Sequence, residues 1–198
     1  MPAGQKGWSS ASIEQLRAEA RPLEEVGLED LWRGQLGLEL QAMAAVSAML
    51  AQLETKLDAL ADADARCQRL MTIPGVGHRL AETVAATLDR PERFSNGRQV
   101  GAYAGLSPKR YQSGQCDRQG RISRAGNTLL RSLLVEVAWI GLRYNPWMRQ
   151  VYENARRGSA ARKKTAIVAV ARRLLVVCWA MLRDGTEWRA PAGMQATA

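Results

Sequence analysis

The sequence predicts a mainly α-helical protein with a long coiled-coil-like N-terminal helix, a helix-hairpin-helix, an irregular loop and then a helical bundle. Three observations support this prediction. Ala, Leu and Arg dominate the composition, and all three favour helix. Apolar residues recur at helical spacing in residues 35–66. Beyond them, Gly and Pro separate the chain into further apolar stretches of helical length.

The first element follows a polar lead-in, residues 1–34, which we expect to be partly disordered. Residues 35–66 then carry an apolar stripe at alternating steps of three and four residues, which is a heptad pattern. Such a narrow stripe is typical of a coiled coil between protomers or of a helical hairpin. A helix packed on its own domain fits the pattern equally well. The stripe consists of Met43, Val46, Leu50, Leu53, Leu57 and Leu60.

Residues 67–89 predict a helix-hairpin-helix. A first helix ends near Thr72, and a second begins near Arg79. The turn between them contains Gly75, Val76 and Gly77, whose backbone N–H groups could point at a DNA phosphate together with the N-terminus of the second helix. An ordinary turn between two packed helices remains the alternative.

Helix-breaking and helix-capping residues predict the remaining elements. Residues 90–125 predict an irregular segment that contains one short helix, Gly97 to Ala104, and then a loop whose length and charge favour a functional role. A helical region follows to residue 188, with Asn127 as a helix cap, a break at Asn145-Pro146 and a helix end at Gly185. Residues 189–198 predict a disordered tail.

Charge is distributed unequally along the chain. Residues 1–89 carry 8 Lys and Arg against 13 Asp and Glu, whereas residues 90–198 carry 20 against 6. A concentrated basic half indicates a polyanionic partner. A genome that favours Arg codons would produce the same excess.

Cysteine and histidine counts exclude several classes of site. Three widely spaced cysteines argue against a disulfide framework and a zinc cluster, and a single histidine argues against a Ser-His-Asp triad. We therefore expect no metal site in this chain. The N-terminus lacks the pattern of a signal peptide, and Arg172 and Arg173 interrupt the apolar stretch 167–182, so we expect a cytoplasmic, nucleoid-associated protein and no membrane contact.

Several motifs then occur in a recognisable order: Ile73-Pro-Gly-Val-Gly77, Arg93-Phe94, Ala102-Tyr-Ala-Gly-Leu-Ser-Pro108, Gln112-Ser-Gly114 and Gly120-Arg-Ile-Ser-Arg-Ala-Gly-Asn127. Together they resemble the C-terminal (transposase 20-type) domain of insertion-sequence 110/116/902 family transposases. The resemblance covers residues 67–188, including the helix-hairpin-helix.

The resemblance implies cutting and rejoining of DNA through a serine nucleophile, which here is Ser113. It implies dimers or higher oligomers, formed through the coiled-coil segment at 35–66, and a guide (bridge) RNA that pairs with DNA. Full-length members also have an N-terminal RuvC-like domain with four acidic residues (DEDD). We find no such domain in this sequence, so we expect no cofactor within this chain and Mg²⁺ only with the missing domain. This interpretation makes the chain a truncated copy or a fragment that could be inactive alone.

The residues around Ser113 fit phosphoryl transfer. A serine hydroxyl needs activation, and the charge that develops on phosphorus needs cationic or N–H donors. A Ser-Gly pair is also common in plain turns, so a non-catalytic helix-hairpin-helix module and an inactive remnant remain alternatives. The predicted nucleic-acid-binding residues are Gly75, Val76, Gly77, Lys109, Arg110, Arg118, Arg121, Arg124, Arg131, Arg162, Lys163 and Lys164.

Overall fold

Helices form most of the chain, which confirms the mainly α prediction. The computed structural model describes residues 9–113 and 116–190, with the backbone alone at residues 110, 112 and 116–119. The α-helices are α1 (Ser10–Glu19), α2 (Leu31–Ala63), α3 (Ala65–Met71), α4 (His78–Leu88), α5 (Gly97–Tyr103), α6 (Thr128–Tyr144), α7 (Pro146–Arg156) and α8 (Lys163–Asp184). The strands are β1 (Pro108–Ser113) and β2 (Cys116–Ile122), and short 3₁₀ turns cover Leu23–Glu25, Leu28–Asp30, Pro91–Arg93 and Ala160–Arg162.

The chain divides after Leu57 into two compact units. In the first unit, residues 10–19 of the predicted lead-in form α1, a helix that the sequence did not predict. The Ser9 hydroxyl caps this helix by accepting a hydrogen bond from Ser12 N at 3.2 Å. Residues 1–8 of the predicted lead-in, like residues 191–198 of the predicted tail, lie outside the described residues.

The long helix α2 carries the heptad stripe, and most of that stripe is exposed. Val46, Leu50 and Leu53 are 54%, 54% and 60% exposed, and Leu57 and Leu60 are similarly open. Exposed leucines at heptad spacing are unusual on the surface of a monomer, since burying each against a partner would gain about 1.5–3 kcal/mol. Residues 46–60 of α2 therefore present an uncovered apolar stripe.

The second unit is built around α8, which contacts α3, α4, α5, α6 and α7. One face of α8 is fully buried because its apolar residues recur at steps of three and four. The core members from this helix are Ala166, Ile167, Val170, Ala171, Leu174, Leu175, Cys178, Trp179 and Met181.

The helix boundaries follow from local capping. The Asn127 side chain accepts a hydrogen bond from Leu130 N at 3.1 Å, which confirms the predicted cap of α6. Asn145 ends α6 and caps α7 through Trp147 N at 3.1 Å. Gly185 adopts φ of +66° at the end of α8, as glycine allows.

The prediction of an irregular loop was wrong for residues 108–122, which form an antiparallel β-hairpin. Arg110, Tyr111 and Ser113 pair with Gln119, Arg118 and Cys116 respectively, with a register shift near Lys109. The strands are hard to recognise in the sequence because they are rich in Arg, Gln and Gly, which carry little strand signal. Pairing between the two segments, rather than intrinsic propensity, creates them.

Two helical stretches, Leu28–Ala63 and Ala160–Asp184, are long and apolar enough to cross a membrane by length and composition alone. Half of the apolar window of the second is buried inside the protein. A core helix of a globular protein has the same properties, and α8 is such a helix here.

Candidate nucleic-acid interface

Ser113 is the last residue of β1, and its side chain is exposed. Its pairing partner is Cys116, the first residue of β2, so the serine lies where the two strands are about to join. Gly114, the other half of the Ser-Gly motif, lies outside the described residues. The hydroxyl is thus presented on a projecting hairpin and can be approached by a large substrate.

The base of the hairpin is held by an unusually close backbone crossing. Ser123 N donates to Ser107 O at 2.9 Å, and Arg124 N donates to Gly105 O at 3.2 Å. Gly105 and Gly126 have positive φ, and a Cβ on either would collide with a backbone carbonyl of the opposite segment. Only glycine permits this approach, which sets the direction in which the hairpin leaves the domain.

Tyr111 lies two residues before Ser113 and shares its strand face. Its ring covers Gly120, where an added Cβ would come within 2.8 Å of the ring edge. The ring remains 61% exposed, so it is accessible for stacking while packed on the neighbouring strand.

A large groove lies between α5, the base of the hairpin and α8, with a volume of about 1640 Å³. Its lining contains six cationic residues, and none of the described lining residues is Asp or Glu. Apolar side chains form much of the remaining surface. The cationic members are Arg98, Arg121, Arg124, Lys164, Arg172 and Arg173.

The groove brings together only some of the predicted nucleic-acid-binding residues, namely Arg121, Arg124 and Lys164. Sequence reasoning missed Arg98, Arg172 and Arg173 as members of the same surface. A signal was present for Arg172 and Arg173, because both follow Ala169 and Thr165 at steps of three or four residues and so share one face of α8.

Other predicted residues lie elsewhere or make structural contacts. Arg131 donates from Nη1 to Ala104 O and from Nη2 to Thr128 Oγ1, both at 3.3 Å, so it ties α6 to the end of α5. Lys109 and Lys163 are exposed, and Arg162 lines a smaller cavity of about 390 Å³ beside α7. The side chains of Arg110 and Arg118 lie outside the described part of the chain.

The turn at residues 72–77, where the sequence predicts a helix-hairpin-helix, packs closely against α6. A Cβ on Gly75, whose φ is +93°, would approach Gly141 Cα to 3.3 Å, so the turn touches the backbone of α6. Val76 is buried, whereas Gly77 is exposed at the start of α4. The N-cap of α4 is Gly77, and no side-chain cap hydrogen bond is made there. Helix N-termini attract anions in general.

Two acidic residues of α2 lie close to the first residues of α4. His78 Nε2 lies 2.9 Å from Asp62 Oδ1, and Arg79 Nη2 lies 3.1 Å from Asp58 Oδ1. Arg79 also pairs with Glu82 at 3.1 Å. These carboxylates offset part of the positive potential that the N-terminus of α4 would offer to a phosphate.

Within residues 9–113 and 116–190, no group of three or more His, Cys, Asp or Glu side chains is arranged to hold a metal ion. Burial raises the pKa of the Cys67 thiol, and it raises the pKa of the Cys178 thiol to about 12. Both cysteines therefore stay protonated in the folded protein at neutral pH.

Comparison with known proteins agrees with the resemblance seen in the motifs. A model of the family described as "Transposase IS116/IS110/IS902 family" matches residues 67–153. The chain is 33% identical over 172 residues to a putative transposase, y4rJ, of Sinorhizobium fredii, covering 77% of this chain and 42% of that protein.

Two further relatives extend the comparison. The transposase for insertion sequence element IS1111A of Coxiella burnetii is 34% identical over 147 residues, which cover 70% of this chain and 39% of that protein. The pilin gene-inverting protein of Moraxella lacunata is 31% identical over 122 residues, covering 60% and 37%. The chain thus spans less than half the length of each relative. It belongs to the IS116/IS110/IS902 transposase family.

Proposed function

We propose that this chain is the DNA-handling part of a transposase or recombinase that cuts and rejoins DNA through Ser113. One observation carries the proposal: an exposed serine ends the first strand of a hairpin whose base lines a groove with six cationic residues. The names of the relatives, two transposases and a gene-inverting protein, support the transposase or recombinase part of the proposal.

The proposed reaction conserves bond energy. Ser113 Oγ attacks phosphorus, and a phosphoserine bond forms as the bond from phosphorus to the 3′ oxygen breaks. The serine proton leaves to solvent, and the released 3′ oxygen takes up a proton. Attack by a 3′ hydroxyl of another strand on the phosphoserine reverses these steps. Because one phosphate ester replaces another, rejoining needs no external energy source.

The groups that assist this step are cations near the hairpin rather than a histidine. The one histidine, His78, is engaged with Asp62 at the start of α4. Arg121 and Arg124 are exposed at the base of the hairpin and can stabilise charge on the phosphate. We expect Mg²⁺ only together with an acidic domain of the resolvase type.

Three further properties belong to the proposal. The exposed heptad stripe of α2 supports a homodimer or higher oligomer. A guide RNA would supply sequence specificity by base pairing, so the protein side chains need contact only phosphates. Such a protein would act in the cytoplasm, at the nucleoid. A non-catalytic binding module that uses the helix-hairpin-helix alone is the second candidate, supported by the uncapped start of α4.

The test is a covalent adduct. The chain is incubated with supercoiled DNA carrying the ends of its element, the noncoding RNA of that element and a target DNA, and denaturing gels are used to detect protein attached to DNA. We expect an adduct that Ser113→Ala abolishes. Ser159→Ala is the matched control, since that side chain caps nothing. The reaction is run with and without an added resolvase-like domain and Mg²⁺, because we expect catalysis to need that domain. An adduct that persists in Ser113→Ala, or no adduct when the resolvase-like domain is supplied, would overturn the proposal.

A further inference from the structure

We propose that the groove between α5, the hairpin base and α8 binds a single-stranded segment of DNA, with phosphates on its cationic rim and bases on its apolar floor. The inference rests on the proposed DNA function but concerns a surface separate from Ser113. It assigns a role to Arg98, Arg172 and Arg173, which the sequence motifs leave without one.

Size and charge identify the ligand as a polyanion. A volume of about 1640 Å³ exceeds the roughly 300–1000 Å³ of pockets that enclose small molecules. Six cations line the groove, and the described lining contains no carboxylate to offset them. A chain of phosphates satisfies such a surface at several points at once.

The position of the cations is set by helix packing. A Cβ on Gly97 would lie 2.7 Å from Val176 Cγ1, and one on Gly101 would lie 2.8 Å from Arg172 Nε. These two glycines, four residues apart, bring α5 directly onto α8. The Arg172 side chain consequently runs along α5 and is half-buried, so its direction is restricted before any ligand binds.

The apolar floor distinguishes a single strand from a duplex. Val168, Val176, Val177 and Trp147 are only partly buried and line the groove together with Leu106. A duplex presents phosphates outward and keeps its bases stacked inside, so it would leave this floor uncovered. Unpaired bases can lie on apolar and aromatic side chains while their backbone follows the cations.

The DNA segment in the groove would lie at a distance from Ser113, because the groove is at the base of the hairpin and Ser113 is at the end of β1. Pro108, Gly120, Arg121 and Ile122 line the groove at the base of the hairpin, whereas Ser113 ends β1. Five residues of strand separate Pro108 from Ser113, which corresponds to about 17 Å at 3.3–3.4 Å per residue. The groove therefore holds a strand that flanks the cleavage point, and not the scissile phosphate.

The test measures binding of a fluorescent 20-nucleotide oligo(dT), a 20-base-pair duplex and a 20-nucleotide oligo(rU) to the full chain at several salt concentrations. The groove variant combines Arg98→Glu with Arg173→Glu, both exposed positions. The control variant combines Arg90→Glu with Arg143→Glu, which are exposed, lie outside the groove lining and change the net charge equally. Circular dichroism checks that both variants keep their helix content.

We expect the unmodified chain to bind oligo(dT) more tightly than duplex. The groove variant should bind oligo(dT) about tenfold or more weakly. The slope of log affinity against log salt concentration should become shallower by about 1.4, since each single-strand phosphate contact contributes about 0.7 and the variant removes two arginines. The control variant should change the affinity less than about threefold. Ser113→Ala should bind oligo(dT) normally, so failure of the serine chemistry and failure of the groove are distinguished.

Three results would overturn the inference. Equal losses in the groove and control variants would mean that net charge alone governs binding. Tighter binding of duplex than of oligo(dT) would exclude a single-strand site. Tighter binding of oligo(rU), with the same sensitivity to the groove variant, would assign the surface to RNA instead.

Discussion

Asn145 Nδ2 donates a hydrogen bond to Pro74 O at 3.3 Å and thereby joins residues that are 71 positions apart. The same side chain caps α7 through its oxygen. Asn145 is 2% exposed and is the only buried polar residue identified among the described positions. One amide thus connects the helix-hairpin-helix turn to the junction of α6 and α7.

Replacement of Asn145 should therefore cost more than loss of a helix cap. Asn145→Ala removes the cap and also leaves the Pro74 carbonyl without its donor, so we expect the free energy of unfolding to fall by about 2–3 kcal/mol. Asn127→Ala, which removes only the cap of α6, should cost about 1 kcal/mol. Urea denaturation followed by circular dichroism measures both. Equal losses would show that the contact with Pro74 adds nothing.

The start of α4 offers a test of the helix-hairpin-helix as a phosphate site. Asp62→Asn removes a negative charge beside His78, and if the turn binds phosphate the affinity for duplex DNA should rise about two- to fivefold, as expected for one charge near a helix terminus. Fluorescence anisotropy at low salt measures this change.

Asp184→Asn is the control for Asp62→Asn, because it makes the same change in net charge at the exposed end of α8, where Asp184 pairs with Arg183. An equal gain in both variants would show that only the net charge matters. In that case the turn would be an ordinary connection between packed helices.

The heptad stripe of α2 predicts self-association. Leu50→Glu places a charge in the middle of the stripe and should convert a dimer into a species near the monomer mass of 21.8 kDa in sedimentation experiments. Gln52→Glu, exposed but outside the stripe, should leave the dimer intact. An unmodified chain that sediments as a monomer at all concentrations would contradict the proposed coiled coil.

Cys178 predicts a loss of stability in alkaline solution. Burial raises the pKa of its thiol from 9.0 to about 12. Above pH 9 the unfolded chain loses this proton while the folded chain keeps it, so the unfolded state is favoured by up to about 1.4 kcal/mol per pH unit. The contribution is fully present below pH 9 and is lost as the pH approaches 12.

Other groups titrate in the same range, so the measurement is a comparison. The free energy of unfolding is followed against pH for the unmodified chain and for Cys178→Ala. We expect a shallower decline above pH 9 in the variant, even though its stability at neutral pH is lower. Parallel curves for the two proteins would refute the assignment of this decline to Cys178.

Local signals in the sequence were sufficient for every described α-helix except α1, which the sequence did not predict. Heptad spacing predicted α2. The cap at Asn127, the break at Asn145-Pro146 and the glycine at 185 predicted helix ends that the structure has. These features depend on residues within a few positions of one another, because capping and helical periodicity are local interactions. The motif order was likewise sufficient to identify the family.

The hairpin and the groove could not be predicted in the same way. Strands β1 and β2 are polar and become ordered by pairing with each other, on a base that Gly105 and Gly126 allow to cross. The sequence shows Arg98 and Arg172 as separate charges 74 positions apart, and only the packing of α5 on α8 brings them to one surface. By itself the sequence determined the helices after residue 30 and, through the order of its motifs, the candidate serine. The tertiary structure decided where that serine lies and which cations share a groove. The physical reason is that strand pairing and helix packing join residues distant in the chain, which local propensity does not encode.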